Sequence, residues 1–160
     1  MEKQVVLNAS KLFNFISISL NKMGCNQKEA DRIANSLIGA NLRGHDSHGV
    51  GIIPTYLNNL KKELLIPNTP VTIIKDDGAF LQFDGGKGYG QRVAEEAMKK
   101  GITRCKEIGL VVMTLKNAHH IGRVGTYGEM AVDENLVSEI DYVVIDGKKQ
   151  TIKDLKSKWY

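Results

Sequence analysis

The sequence predicts an α+β (α/β-like) protein, with an N-terminal helical domain over residues 1–68, a partial mixed-sheet domain over 69–138 and a divergent tail over 139–160. Three observations predict it. Up to Leu60 the apolar residues recur at helical spacing. Pro67 and Pro70 then mark a change of regime, after which short β-branched or apolar runs are interleaved with helical ones. Beyond Ser138 the caps and periodicity of the earlier segments disappear.

Asn8 is placed to cap a first helix running to about Met23, with Leu12, Phe15, Ile16, Leu20 and Met23 as its apolar stripe and Gly24 at its end. Asn26 starts a second helix, and Glu29 three residues on suggests a capping box. Ala30, Ile33, Ala34 and Leu37 form its stripe, Gly44 ends it, and the short connection makes the pair a hairpin. Ser47 is a candidate cap for a third helix carrying Ile52, Ile53, Tyr56, Leu57 and Leu60. Pro54 requires that helix to begin near Gly51 or to kink.

Val71 to Ile74 and Ala79 to Phe83 read as strands joined by a turn at Asp76-Asp77-Gly78, hence a hairpin. A glycine-rich loop, Asp84 to Gly90, leads into a helix from Gln91 to about Glu107, stopped by Gly109. Leu110 to Leu115 is a continuous apolar run, expected to be a central strand. A helix from about Arg123 to Val132 follows. Val137 to Ile145 is a further strand candidate before the lysine-rich end.

Composition narrows the function classes. A hydrophobic share of 42% and a charged share of 25% suit a globular chain. The net charge of +4 comes from lysines that are scattered or gathered near the C-terminus, without a basic stripe interleaved with aromatics, so no nucleic-acid partner is expected. Cys25 and Cys105 match no metal or disulfide spacing and read as reduced thiols. No secretory h-region and no run of membrane-spanning length is present, so a cytoplasmic protein with no membrane partner is the expectation.

The four histidines fall in two clusters, Gly44-His45-Asp46-Ser47-His48-Gly49 and Asn117-Ala118-His119-His120-Ile121-Gly122-Arg123. Histidine titrates nearest neutrality, so this distribution hints at proton transfer. His45, Asp46, Ser47 and His48 include the residue types of a hydrolytic triad, but a triad converges from separated positions. A metal held by His45 or His48 with His119 or His120 lacks a carboxylate at helical spacing, and no metal is expected. His119 reads as a packing or capping residue, His120 as the better acid/base. Arg123, and the free amides of a helix start beside it, would suit a carboxylate or phosphate. The glycine-rich loop has neither a Walker lysine followed by Ser/Thr nor a GxGxxG pattern, and reads as a turn that needs positive φ.

Leu42 to Tyr56 (Leu-Arg-Gly-His-Asp-Ser-His-Gly-Val-Gly-Ile-Ile-Pro-Thr-Tyr), Tyr89-Gly-Gln91, and Asn117 to Gly125 stand in an order and spacing that resemble the malate/L-lactate dehydrogenase family, in wording nearest its hydroxycarboxylate dehydrogenase branch. The resemblance covers about Leu12 to Ser138. It implies a non-Rossmann fold, an NAD(P)-dependent oxidoreductase interconverting 2-hydroxy and 2-oxo acids, NAD or NADP as cofactor, and a homodimer. Carried over by position, His120 is the catalytic acid/base, and His48, Gly122, Arg123 and Val124 contact the cofactor. Ser47 and Tyr56 lie on the substrate side. Ile52 stands where other members have a substrate-binding arginine, a role left to Arg123 or Arg43. Family members are roughly twice as long, so the sequence carries two expectations: a dehydrogenase, or an inactive truncated remnant that at most pairs with a full-length relative.

Overall fold

The computed structural model describes residues 6–140. Five α-helices and three strands occur there in the order α1 (Ala9–Lys22), α2 (Gln27–Leu42), two 3-10 turns at 46–48 and 50–52, α3 (Ile53–Lys61), β1 (Thr72–Asp77), β2 (Phe80–Asp84), α4 (Gly90–Ile108), β3 (Val112–Lys116) and α5 (Gly125–Val132). Helices and a small mixed sheet make this an α+β arrangement.

Asn8 Oδ1 accepts from Lys11 N at 3.0 Å and starts α1. Ile16 and Leu20 bury against α2, with Leu12, Phe13 and Met23 packed beside them. Phe15, expected in that stripe, is 69% exposed, because it sits one residue round the helix from Ile16 and points away from α2. Gly24, at φ +98°, makes the turn into α2.

The capping box at α2 is only half built. Asn26 Oδ1 accepts from Glu29 N at 2.9 Å. Glu29 does not reach back; its carboxylate, 1% exposed, accepts from Asn68 N at 2.6 Å and pairs with Arg92 of α4 at 3.1 Å. Asn26 N donates instead to Asn68 Oδ1. A local motif has thus become a tertiary clamp joining α2, the 66–71 connection and α4. Arg32 of α2 adds ion pairs to Glu95 and Glu96, and Glu96 also accepts from Val71 N at 3.0 Å.

Pro54 lies in the first turn of α3, where its missing N–H costs no helical bond. The expected cap by Ser47 is absent: Ser47 is exposed in the first 3-10 turn, and α3 has no side-chain cap. Asn41 holds this region, accepting from Val50 N and donating to Asp46 Oδ1 at 2.5 Å. Gly49 leaves room for it, since a Cβ there would fall 2.2 Å from Asn41 Oδ1.

β1 and β2 pair antiparallel with an irregularity between Ile73 and Lys75, and β2 pairs parallel with β3. α4 is the crossover between the two parallel strands and covers one sheet face, where Leu81, Phe83, Val93 and Ala97 form a core with Met113 and Leu115 beside it. The sheet order among the described residues is β1-β2-β3. Leu110 to Leu115 was expected to be central; the central strand is β2. Met113 and Leu115 face α4 while Val112 and Thr114 are exposed, so the apolar run covers one buried face. Gly90, Ala94, Ala97 and Gly101 keep the inner side of α4 narrow, and Gly101 faces Met113 closely. Gly109, at φ +85°, ends the helix.

α1, α2 and α3 share a separate cluster that includes Tyr56, Leu65 and Tyr89, the residue that opens α4. No strand occurs at 137–140, and the rest of the expected 137–145 strand and the tail lie outside the described residues.

Candidate active site

The double histidine is positioned by the glycine-rich loop. Asp84 and Lys116 are the paired ends of β2 and β3, so the two loops leave the sheet side by side. Gly85 N donates to Lys116 O, Lys87 N to Asn117 O, and His119 N to Gly88 O, at 2.8, 2.7 and 3.1 Å. Gly86 N is taken by Asp84 Oδ1 and Gly88 N by Gly85 O. The amides of residues 85–88 are therefore all committed within the protein, which removes the means by which a phosphate loop works. Gly86 and Lys87 have φ near +55° and +62°, as a tight turn demands. Asn117, at φ +52°, begins the histidine loop and donates to Asp84 Oδ2.

The start of α4 then comes hard against that loop. A Cβ on Gly90 would lie 2.2 Å from His119 O and 2.4 Å from His120 O. This close approach brings Tyr89 and Gln91 under the two histidines.

Tyr56 rises from α3 into the same space. Its side chain is 0% exposed, and its ring is edge-on to Tyr89 and His119. His120 Nδ1 lies 2.7 Å from Tyr56 Oη, and Gln91 Nε2 is placed 2.5 Å from the same hydroxyl. His119 Nε2 is bonded to Asn59 Nδ2 at 2.7 Å. His48 meets His120 edge-on, with ring centroids 5.4 Å apart. His120 Nε2 is buried with no partner among the described residues. The site is thus a row in which Gln91, Tyr56 and His120 are linked in turn, with His48 flanking the far ring.

Burial disfavours charge on these groups. It pushes His120 down to about 4, helped by the proximity of His48 and His119, and lowers His119 for the same reason of burial. It raises the Tyr56 hydroxyl well above its ordinary value, so Tyr56 stays a neutral donor and acceptor. His120 therefore favours the folded state in its neutral form. That contribution is complete above the ordinary imidazole value near 6.5 and is lost as pH falls from there through about 4. Urea midpoints of the wild type and His120→Gln, measured at pH 7.5 and pH 5, should show the wild type losing more stability on acidification than the variant.

The structure brings together His48, Tyr56 and His120 of the residues named from sequence. Tyr56 is wholly buried in this chain, and its hydroxyl is engaged by Gln91 and His120. Ser47 is exposed in the turn beside His48. Gly122, at φ +77°, packs near Ser36 and Gln91. Arg123, 12% exposed in its side chain, is turned to Glu129 at 2.5 Å, and Arg43 reaches the same carboxylate at 3.7 Å. Both arginines line a cleft of about 400 Å3 between α2, α4 and α5, to which Gln91 also contributes. α5 begins only at Gly125, and its Thr126 and Tyr127 amides turn back on Arg123 O and Val124 O, so they are not free beside His120. Ile52 is half-buried and packs on the helical core. Among the described residues no group of three or more His, Cys, Asp or Glu side chains is placed to hold a metal ion, and no helix is long and apolar enough to cross a membrane.

Sequence reasoning missed the roles of Asn41, Asn59 and Gln91. Gln91 carried a signal only as part of Tyr89-Gly-Gln91.

Comparison with known proteins identifies the family and the fold. The family model for malate/L-lactate dehydrogenase matches residues 7–140. Hydroxycarboxylate dehydrogenase B of Escherichia coli O157:H7 is 39% identical over 147 residues, covering 92% of this chain and 40% of that protein. Malate dehydrogenase of Pyrococcus abyssi is 31% identical over 136 residues, covering 85% of this chain and 38% of that one. The solved structure of malate dehydrogenase from Pyrococcus horikoshii superposes with a TM-score of 0.78 at 30% identity, over 84% of this chain and 38% of the other. Sulfolactate dehydrogenase from Methanocaldococcus jannaschii gives 0.78 at 32% identity, over 82% and 38%. The chain spans about 40% of the length of these relatives. With the family model covering most of its length and the three signatures folded into one site, the chain belongs to the malate/L-lactate dehydrogenase family.

Proposed function

We propose that the chain carries the acid/base part of a nicotinamide-dependent dehydrogenase that interconverts 2-hydroxy acids and 2-oxo acids. The observation that carries this reading is the setting of His120: Nδ1 is held by Tyr56, Nε2 is buried with no partner among the described residues, and the His48 ring stands edge-on beside it, whereas His119, which also has one anchored and one unpartnered nitrogen, lies against Asn59 and Tyr56. A histidine with one anchored and one unengaged nitrogen is suited to move a proton at the unengaged one. The relatives named for malate, L-lactate and L-sulfolactate act on molecules that share a 2-hydroxy acid group.

In reduction, protonated His120 delivers a proton from Nε2 to the oxygen developing negative charge at carbon 2; in oxidation, neutral His120 removes that proton. The depressed basicity of His120 favours the neutral, proton-accepting form. NAD or NADP, when bound, supplies or accepts the hydride. His48, Gly122, Arg123 and Val124 are the residues assigned to hold it. The orphaned His120 Nε2 is left for the reacting oxygen, and the His48 ring beside it suits a planar group such as the nicotinamide. Arg123 and Arg43 fit an anionic group that takes the place of the Glu129 carboxylate. Ser47 serves the substrate from the exposed turn. A homodimer and a cytoplasmic location complete the proposal.

Titration of the purified chain with NADH and NADPH, followed by cofactor fluorescence, tests it together with an assay on pyruvate and oxaloacetate. Saturable binding with turnover is expected. Absence of both would overturn the proposal in favour of an inactive chain that at most pairs with a longer relative.

A further inference from the structure

We propose that the cleft between α2, α4 and α5 is a phosphate site: Arg43 and Arg123 grip a doubly charged phosphate or diphosphate group, and Glu129 is the carboxylate which that group displaces. The inference deepens the function proposed above by naming a ligand group, and rests on it only where that group belongs to the cofactor.

The charges lining the cleft are unevenly answered. Four cationic side chains, Arg32, Arg43, Lys99 and Arg123, face two carboxylates, Glu95 and Glu129. Arg32 and Lys99 are matched, because both pair with Glu95 and Arg32 also reaches Glu96. Arg43 and Arg123 have one carboxylate between them: Glu129 Oε2 lies 2.5 Å from Arg123 Nη2 and 3.7 Å from Arg43 Nη2. One positive charge is left over with Glu129 in place, and two once it leaves. A phosphate monoester carries close to two negative charges at neutral pH and matches the second state.

Both guanidinium groups are seated over glycines. A Cβ on Gly125 would fall 2.4 Å from Arg123 Nη1, and one on Gly39 would fall 3.3 Å from Arg43 Nη1. Arg43 Nη1 also donates to Gly39 O at 3.3 Å, so its side chain folds back along α2. A planar guanidinium offers paired N–H groups to two oxygens of a phosphate. Ser36 and Thr126 line the same cleft and add neutral donors.

The members of the ion pair are not equally fixed. The Arg123 side chain is mostly buried, whereas Glu129 stands half-exposed on α5. A pair with one partner in water is weak, so the carboxylate is the member that can turn out to solvent while the guanidinium stays. Arg123 belongs to the loop that carries His120. Gln91, which also lines the cleft, donates to Tyr56, the partner of His120. A phosphate held here lies against the loop and the helix start that set the acid/base histidine.

The test is calorimetric titration of the purified chain with inorganic pyrophosphate at pH 7 and fixed ionic strength, with the arginine Nε–H resonances followed by NMR. Saturable binding that shifts Arg43 and Arg123 is expected. Glu129→Gln removes the competing charge and should tighten binding about 3-fold, the worth of a half-exposed pair. Arg43→Ala, a change at an exposed helix end, should weaken it about 10-fold, as loss of a charged hydrogen bond does. No saturable binding in either the wild type or Glu129→Gln would overturn the proposal, as would equal binding in all three proteins. Weaker binding in Glu129→Gln, in a variant whose circular dichroism is unchanged, would overturn the displacement. Competition between NADH and pyrophosphate would give the site to the cofactor's diphosphate; simultaneous binding would give it to a free phosphate ester. Pyrophosphate bound by a chain that takes neither NADH nor NADPH would sink the dehydrogenase reading and leave the phosphate site standing. NADH bound and turned over by a chain that ignores pyrophosphate would do the reverse.

Discussion

His120→Gln is expected to lower turnover of a 2-oxo acid by about 10²–10⁴-fold, the usual worth of a positioned general acid/base. Affinity for NADH or NADPH should stay within a few-fold. The two effects separate because Nε2, the atom lost, is the one assigned to the reacting oxygen, whereas cofactor contacts are assigned to His48 and to Gly122, Arg123 and Val124. Glutamine keeps a polar end of similar reach in the half-buried space beside Tyr56, so the fold should persist. Steady-state kinetics with fluorescence titration check the split. Unchanged kcat would show that the proton comes from elsewhere, and His119 would be the next residue to replace.

Gly90→Ala should destabilise the protein by about 3 kcal/mol, at the upper end of ordinary overpacking. The added methyl meets the carbonyl oxygens of His119 and His120 at 2.2 and 2.4 Å, and these are backbone atoms that cannot rotate away. The helix-propensity gain of at most about 1 kcal/mol acts against this and is too small to offset it. Urea unfolding should register the loss directly, with a fall in Tm of roughly 10 °C for a domain of this size. Because the histidine loop must move to admit the methyl, the catalytic effect should exceed what stability alone explains. Gly101→Ala is a control within the same helix: its closest neighbour is the flexible end of Met113, and the histidines should be left in place.

The parts of the fold that were legible in the sequence are those set by short-range chemistry. Asn8 and Asn26 cap the helices they precede, Gly24 and Gly109 turn where a left-handed residue is required, and Pro54 sits in a first turn. The misread features depend on distant partners. Glu29 has the spacing of a capping box, but Arg92 and Asn68 offer its buried carboxylate stronger partners. The apolar run before Lys116 resembles a strand buried on both sides, and nothing local says that its alternate residues stay exposed. In the site, the histidines drew notice by their rarity and clustering. Tyr56 was found, but its direction was not, since that depends on how α3 meets the start of α4. Gln91 had no signal of its own: a single glutamine becomes informative only once a tyrosine hydroxyl is seen against it.

The ladder between residues 85–88 and 116–119 has a thermodynamic consequence. Fixing a loop residue costs about 1–2 kcal/mol of backbone entropy, and roughly eight residues are fixed there by bonds formed within the chain. That entropy is surrendered once, when the polypeptide folds, and not again at each encounter with a small molecule. On the proposed function, the histidine loop is therefore set before anything arrives, and binding energy from the rest of a substrate would remain available for lowering the barrier.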